Sequence, residues 1–165
     1  MPEVSVYYLD MRSREQLRAC PPAPGLLLME AEVKQFALNR FLYTQVGGDW
    51  QWTDRLSWSE RQWRDYAEAD DLRTWVAYVE GSPAGYFELQ SQPEHAVEIC
   101  IFGLARPFIG KGLGGPLLTQ AIEQAWDWGQ TRRVLVNTCS LDHPSALANY
   151  QARGMQLYRT EVEQG

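Results

Sequence analysis

A glycine-rich turn between a predicted strand and a predicted helix constrains this chain more than any other stretch. Residues 102–118 read FGLARPFIGKGLGGPLL, with glycine at four of the six positions from Gly110 to Gly115. An apolar run from Val97 predicts a strand before the turn, and apolar residues at helical spacing predict an amphipathic helix after it. The helical face consists of Leu113, Leu117, Leu118, Ala121, Ile122 and Ala125.

Such a turn is suited to binding phosphate. Glycines allow positive φ and a close approach of the backbone to a ligand. The first turn of a helix has N–H groups without intrahelical partners, at the positive end of the helix dipole. Together these properties predict a phosphate-binding pocket. A turn without a ligand is the alternative, but so many glycines at a helix start are costly for folding.

Two common phosphate-binding templates do not fit the turn. A Walker loop needs Ser or Thr after its Gly-Lys pair, whereas Gly112 follows Gly110 and Lys111, so no hydroxyl is placed for magnesium. A dinucleotide fingerprint needs Gly-x-Gly-x-x-Gly soon after the first strand. Here the glycines come late in the chain and have a different spacing.

The turn resembles the acyl-CoA-binding motif of the GNAT superfamily of N-acetyltransferases, which is Gln/Arg-x-x-Gly-x-Gly/Ala followed by an amphipathic helix. Residues 109–114 match it, with Ile109 in place of Gln or Arg. Residues 149–155 are similar to the family's Leu-Tyr-x-x-x-Gly-Phe signature, with Asn149 and Met155 replacing the first and last residues. The resemblance covers residues 73–162 well and the first half loosely.

The resemblance implies an α/β (α+β) fold, the GNAT-like acyl-CoA N-acyltransferase fold. This is a mixed, mostly antiparallel central sheet flanked by about four helices. Sequence patterns predict strands at 5–10, 26–29, 74–80, 84–90, 96–104, 133–139 and 155–162. They predict helices at 32–43, from a Ser57–Glu60 capping box to about 67, after the glycine-rich turn, and after 142–145. No linker or repeat is visible, so we expect a single domain over residues 1–165.

Composition limits the function classes. The chain has 165 residues and a net charge of −6, which argues against a general nucleic-acid binder and is compatible with cationic amine substrates. Its three cysteines are expected to be free thiols in a reducing compartment, with no metal site. Neither a signal peptide nor a membrane span is predicted, so we expect a cytoplasmic protein.

The resemblance assigns roles to individual residues. Three groups of residues are predicted to bind the cofactor. Leu104 and Ala105 would pair with pantetheine, and His143 occupies a position where relatives carry an Asn near the CoA arm. The pyrophosphate would be held by the residues of the turn, which are Gly110, Lys111, Gly112, Leu113, Gly114 and Gly115. Tyr150 is predicted to donate a proton to the departing thiolate, since a phenol is protonated at neutral pH. Glu98 is predicted to deprotonate the amine, with Glu88 as the second candidate.

The stretch from Gly47 to Arg55 is the predicted substrate rim. Asp49, Trp50 and Trp52, together with Glu88, are the predicted substrate-binding residues, because carboxylates and Trp faces attract cations. Packing of these Trp side chains under a loop is the alternative.

The predicted function is transfer of an acetyl group from acetyl-CoA to a primary amine of a small molecule or peptide by direct attack. A non-catalytic acyl-CoA-binding or sensing module on the same fold is the alternative, and a fold that binds another nucleotide ranks last. Relatives often pair, so a homodimer is compatible with the resemblance.

Overall fold

The computed structural model describes residues 3–48 and 52–164. Within these residues the chain forms seven strands and four α-helices. In chain order they are β1 (Glu3–Met11), β2 (Leu26–Glu30), α1 (Phe36–Gly47), α2 (Glu60–Ala67), β3 (Leu72–Val79), β4 (Ser82–Gln92), β5 (Ala96–Leu104), α3 (Gly114–Asp127), β6 (Arg133–Cys139), α4 (Ala146–Ala152) and β7 (Gln156–Gln164).

All the strands belong to one sheet in the order β2-β3-β4-β5-β6-β1-β7. Every neighbouring pair is antiparallel except β5 and β6, which are parallel and are joined through α3. The predicted mixed, mostly antiparallel sheet with four flanking helices is therefore confirmed. The first strand lies between β6 and the last strand, a position that its local sequence does not indicate.

Apolar side chains pack on both faces of the sheet. One cluster joins the sheet to α3 and α4, and the predicted face of α3 supplies Leu117, Leu118, Ala121, Ile122 and Ala125, all with 0% exposure. A smaller cluster on the opposite face contains Leu42 and Val46 of α1 with Tyr86 of β4. Alternate residues of the central strands thus contact α3 on one side and α1 on the other.

Several predicted boundaries are wrong, and three of them illustrate the reasons. Helix α1 begins at Phe36 rather than at 32, because the Glu68 carboxylate accepts a 3.0 Å hydrogen bond from the Phe36 amide. The capping box of α2 pairs Ser59 with Gln62, two residues later than predicted. The β3–β4 turn consists of Glu80 and Gly81, with φ values of 50° and 84°, so Ser82 and Pro83 belong to β4.

The pairing of β5 opens a gap in the centre of the sheet. β5 pairs with β6 only from Ala96 to Ile99. At the same point the β4–β5 register shifts, because Glu88 lies opposite Ile101 and Leu89 lies opposite Ile99. Cys100 is therefore an extra residue, a β-bulge that bends the strand. Beyond it, β5 follows β4 while β6 follows β1.

Among the described residues, no helix combines the length and apolar character needed to cross a membrane. The three cysteines are free thiols, as expected.

Candidate active site

A cleft of about 620 Å³ lies where β5 and β6 separate. The end of β5, the glycine-rich turn, the first residues of α3 and one side of α4 line it. Val46 and Trp52 line it from the opposite face of the sheet. The cleft therefore reaches from the glycine-rich turn into the gap between the two central strands.

The glycine-rich turn presents unpaired amides to this cleft. Gly110 and Gly112 have φ values of 80° and 77°, which favour glycine, and a Cβ atom built at either would meet nothing within 4 Å. Leu113, the N-cap residue of α3, makes no side-chain capping hydrogen bond. Across residues 3–48 and 52–164, no side chain accepts a hydrogen bond from the amides of this turn. The first turn of α3 can therefore donate to an anion.

Contacts on the carbonyl side fix the start of α3. The Asn149 side-chain amide donates a 3.1 Å hydrogen bond to the Gly114 carbonyl, which links α3 to α4. At Gly115, a Cβ atom would lie 2.6 Å from both Cys20 Sγ and Arg153 Nη1. A side chain at Gly115 would therefore displace the ends of the Cys20 and Arg153 side chains, whereas the positive φ values of Gly110 and Gly112 favour glycine in the turn itself.

The end of β5 contributes backbone to the cleft. Phe102, Gly103 and Leu104 line it. The Ala105 amide, in contrast, donates a 2.8 Å hydrogen bond to the Ala84 carbonyl, and Ala105 is only 1% exposed. Of the two residues predicted to pair with pantetheine, Leu104 therefore lies in the cleft, whereas the Ala105 amide is already used within the sheet.

Tyr150 of α4 lines the cleft and is 5% exposed. Its ring packs edge-to-face against Phe102, with centroids 6.2 Å apart. Burial, and next the Asp142 carboxylate, raise the pKa of Tyr150 above its ordinary value of 10.0. The phenol is consequently protonated at neutral pH, as a proton donor must be.

Asp142 links the two sides of the cleft, a role that its sequence context did not indicate. Its carboxylate accepts hydrogen bonds from Trp52 Nε1 at 2.9 Å and from Thr138 Oγ1 at 2.6 Å. Trp52 is thereby held in the cleft wall, and its ring packs beside Gly103, where a Cβ atom would lie 3.2 Å from the indole. The only sequence signal was an acidic residue beside a predicted helix start.

The two remaining residues that were predicted to bind the cofactor, His143 and Lys111, differ in location. His143 lines the cleft, and its Nδ1 accepts a 2.9 Å hydrogen bond from the Ser145 amide at the beginning of α4. Lys111 is exposed and is not among the residues that line the cleft.

Glu98 of β5 lies on the face of the sheet that carries α2. Its carboxylate accepts a 3.2 Å hydrogen bond from Gln92 Nε2. Burial raises the pKa of Glu98, although the positive charge of Arg55 acts in the opposite direction. The neighbouring bulge residue Cys100 has a thiol whose pKa burial raises to about 12, so it is not a thiolate at neutral pH.

Glu88 lies in a buried polar cluster rather than in the wall of the cleft. Its carboxylate has 0% exposure and accepts hydrogen bonds from Asn39 Nδ2 at 2.7 Å, Arg55 Nη1 at 3.1 Å and Tyr66 Oη at 2.6 Å. The substrate-binding role of Glu88 stays a prediction, as do those of Asp49 and Trp50, which lie outside the described residues.

In the part of the chain that the structure describes, no group of three or more His, Cys, Asp and Glu side chains is arranged to hold a metal ion. The site thus consists of a glycine-rich amide turn, an open strand end and a buried phenol along one cleft.

The Acetyltransferase (GNAT) family model matches residues 31–155. The chain belongs to the GNAT acetyltransferase family. This match includes the glycine-rich turn, the split between β5 and β6, and Tyr150, so the family assignment and the geometry of the cleft agree. No curated protein sequence matches the chain.

Solved GNAT structures have the same fold. A GCN5-related N-acetyltransferase from Sphaerobacter thermophilus is 16% identical with a TM-score of 0.74, and the matched region covers 98% of this chain and 51% of the acetyltransferase chain. An IAA acetyltransferase from Bacillus cereus is 26% identical with a TM-score of 0.60, covering 81% of this chain and 79% of its own. An aminoglycoside acetyltransferase from a soil metagenome is 14% identical with a TM-score of 0.63, covering 78% of this chain and 87% of its own. This chain spans only 51% to 60% of the length of three similar solved structures.

Proposed function

We propose that the protein transfers an acetyl group from acetyl-CoA to a primary amine of a small molecule or peptide. The observation that carries this proposal is the set of uncapped amides at Gly110 and at residues 112–115, whose residues line the same cleft as the Tyr150 phenol. Family membership supports acyl transfer in general. The donor and the class of acceptor are our proposals.

The residues of the cleft fit the parts of acetyl-CoA. The amides at Gly110, Gly112 and Leu113 would donate to the pyrophosphate, assisted by the positive end of the α3 dipole. The backbone of β5 between Phe102 and Leu104 has no β6 partner and would pair with the pantetheine amides. The thioester would then lie between β5 and Tyr150.

The chemistry requires three proton transfers. Glu98 would take a proton from the ammonium, directly or through water, and a raised carboxyl pKa suits this role. The free amine then attacks the thioester carbonyl carbon, so that a C–N bond forms and the C–S bond breaks. Tyr150 would donate its proton to the departing thiolate, and the proton that the new amide nitrogen loses would return to the Tyr150 phenolate through solvent. Glu98 would release the proton that it took from the ammonium to solvent.

The first experiment is a thermal-shift comparison of acetyl-CoA, CoA, ATP and NAD. We expect stabilisation by both CoA compounds, since RT ln(1 + [L]/Kd) favours the state that binds ligand, and no stabilisation by ATP or NAD. Stabilisation by ATP or NAD in preference to CoA would overturn the proposal.

The second experiment measures thiol release from acetyl-CoA with a panel of primary amines. Release with at least one amine is expected, together with its loss in Tyr150→Phe. Binding of CoA without thiol release on any amine would instead support a non-catalytic acyl-CoA-binding module, an alternative that Ile109 at the usual Gln/Arg position also favours.

A further inference from the structure

A second cleft, of about 530 Å³, lies between α2 and β4. Two aromatic rings (Trp58 and Tyr66), two carboxylates (Asp65 and Asp71) and two carboxamides (Gln62 and Gln90) line it. Gln90 follows Leu89, which packs in the cluster with α3, so the two residues point to opposite faces of the strand. The second cleft therefore opens on the face of the sheet that α3 does not cover.

Buried contacts hold its two aromatic walls in place. The rings of Trp58 and Tyr66 pack edge-to-face with centroids 5.5 Å apart, and Trp58 packs in the same way against Trp63 at 5.0 Å. The Arg55 guanidinium lies 5.0 Å from the Trp58 centroid and 4.2 Å from the Tyr66 centroid. Because these rings are fixed from within the protein, they offer a ligand a preformed wall.

The residues that line the cleft carry two negative charges and no positive charge. Arg55 Nη2 donates to Tyr66 Oη at 3.1 Å from within the protein, and its charge is paired with the buried Glu88 carboxylate at 3.1 Å. The arginine contact with a carboxylate of the lining is that of Arg61 Nε with Asp65 at 3.8 Å, and both side chains are highly exposed, at 88% and 71%. Such a pair is weak and easily displaced. Carboxylates beside aromatic faces attract cations, so the chemistry of this cleft favours a positively charged ligand.

Hydrogen bonds connect this cleft to the proposed base. Gln90 lies opposite Glu98 in the β4–β5 ladder. Gln92 Nε2 donates to Gln90 Oε1 at 3.0 Å and to Glu98 Oε1 at 3.2 Å. Gln90 Oε1 also lies 3.8 Å from the thiol of Cys100, the bulge residue at which the gap between β5 and β6 begins. Gln90 thus links the lining of the second cleft to Glu98 and to the bulge of β5, on the face of the sheet opposite α3.

We infer that this cleft binds the acceptor as an aliphatic amine that carries a second positive charge. One ammonium group lies toward Glu98, and the other is held by Asp65, Asp71 and the ring faces. The inference rests on the proposed acetyl transfer and specifies the class of its acceptor. The substrate-binding roles predicted for Asp49, Trp50 and Trp52 stay separate predictions.

The test is calorimetric titration of the protein, saturated with CoA so that no turnover occurs. The probes are 1,5-diaminopentane and 5-amino-1-pentanol, which have the same length and differ by one charge. We expect the diamine to bind about tenfold more tightly, as one cation–π contact and two carboxylates would supply. Equal affinity for the two probes would overturn the inference.

A matched pair of variants separates the cleft from the general acidity of the chain. Asp71→Asn is expected to remove most of the preference for the diamine, whereas Asp70→Asn, a neighbouring exposed residue outside the cleft lining, is expected to retain it. Equal effects of the two variants would assign the preference to the overall surface charge and contradict the inference.

The experiments distinguish an error in the cleft assignment from an error in the acetyl-transfer proposal. If amines promote thiol release from acetyl-CoA but Asp71→Asn leaves the choice of amine unchanged, the transferase proposal stands and the cleft assignment is wrong. If the diamine binds through Asp71 but no amine promotes thiol release, the cleft assignment stands and the transferase proposal is wrong.

Discussion

Replacing Arg55 by methionine is expected to destabilise the protein by about 3–5 kcal/mol, because it leaves a buried carboxylate without its cation. The Glu88 side chain has 0% exposure and that of Arg55 13%. Burial lowers the pKa of Arg55, but the Glu88 carboxylate outweighs burial, so the net shift is upward and the guanidinium stays charged. In the variant, Glu88 would retain only the neutral donors of Asn39 and Tyr66.

Packing makes a smaller contribution to the expected loss. Methionine retains most of the apolar stem, so little cavity forms, whereas the contact of the guanidinium with the Tyr66 ring, at 4.2 Å, is removed at a cost of about 1 kcal/mol. For a chain of this size, a loss of about 4 kcal/mol corresponds to a fall in Tm of about 8–16 °C.

Urea unfolding followed by tryptophan fluorescence measures the effect, because Trp58 and Trp63 lie beside Arg55. The double variant Arg55→Met/Glu88→Gln is expected to lose less stability than the two single variants lose in sum, with a coupling free energy of about 1–3 kcal/mol.

Arg61→Met is the matched control, since its contact with Asp65 is 3.8 Å long and exposed, and its effect should stay within about 0.5 kcal/mol. A loss below about 1 kcal/mol in Arg55→Met, without coupling to Glu88, would refute the reasoning that the buried pair dominates.

Four further predictions concern the residues of the proposed site. Tyr150→Phe should lower kcat for thiol release by about 10²–10⁴-fold with little change in the KM for acetyl-CoA, because only the proton donor is lost. Since burial raises the pKa of Glu98 above 4.5, the acidic limb of the kcat/KM profile should lie above the ordinary carboxyl range. Because the pKa of Glu98 is higher in the folded state, its protonated form contributes stability that is complete below the unfolded pKa and is lost as pH rises through the folded pKa. Glu98→Gln, which stays neutral, should therefore be more stable relative to the wild type at pH 7 than at acidic pH, as measured by urea unfolding. Gly112→Ala and Gly25→Ala, at φ of 77° and 81°, should each cost about 1–2 kcal/mol, but only Gly112→Ala should weaken CoA binding in calorimetry.

Local patterns predicted the elements that bear the proposed cofactor site. The bounds of β5 and β6 agree with the predicted strands, because their apolar runs are short, continuous and bounded by turn residues. The buried face of α3 also agrees with its predicted spacing. The glycine-rich turn was predictable because positive φ and uncapped amides are properties of adjacent residues.

Features that depend on distant residues were not predictable from local sequence. The start of α1 is set by Glu68, which follows α2. The cluster around Glu88 unites donors from α1, the α1–α2 connection and α2, and nothing in the local alternation of β4 distinguishes Glu88 from an exposed strand residue. The bulge at Cys100 arises from the register between two strands and has no signature within one of them.

The location of β1 has a consequence for how the chain acquires its structure during synthesis. Val6 pairs with Cys139 and Glu3 pairs with Gln164, so both edges of β1 form hydrogen bonds only with strands that lie far along the sequence. Contacts of such long sequence separation form slowly. On the ribosome, β1 therefore remains unpaired until nearly all of the described chain has been translated, and it exposes two strand edges to chaperones or to neighbouring nascent chains during that interval.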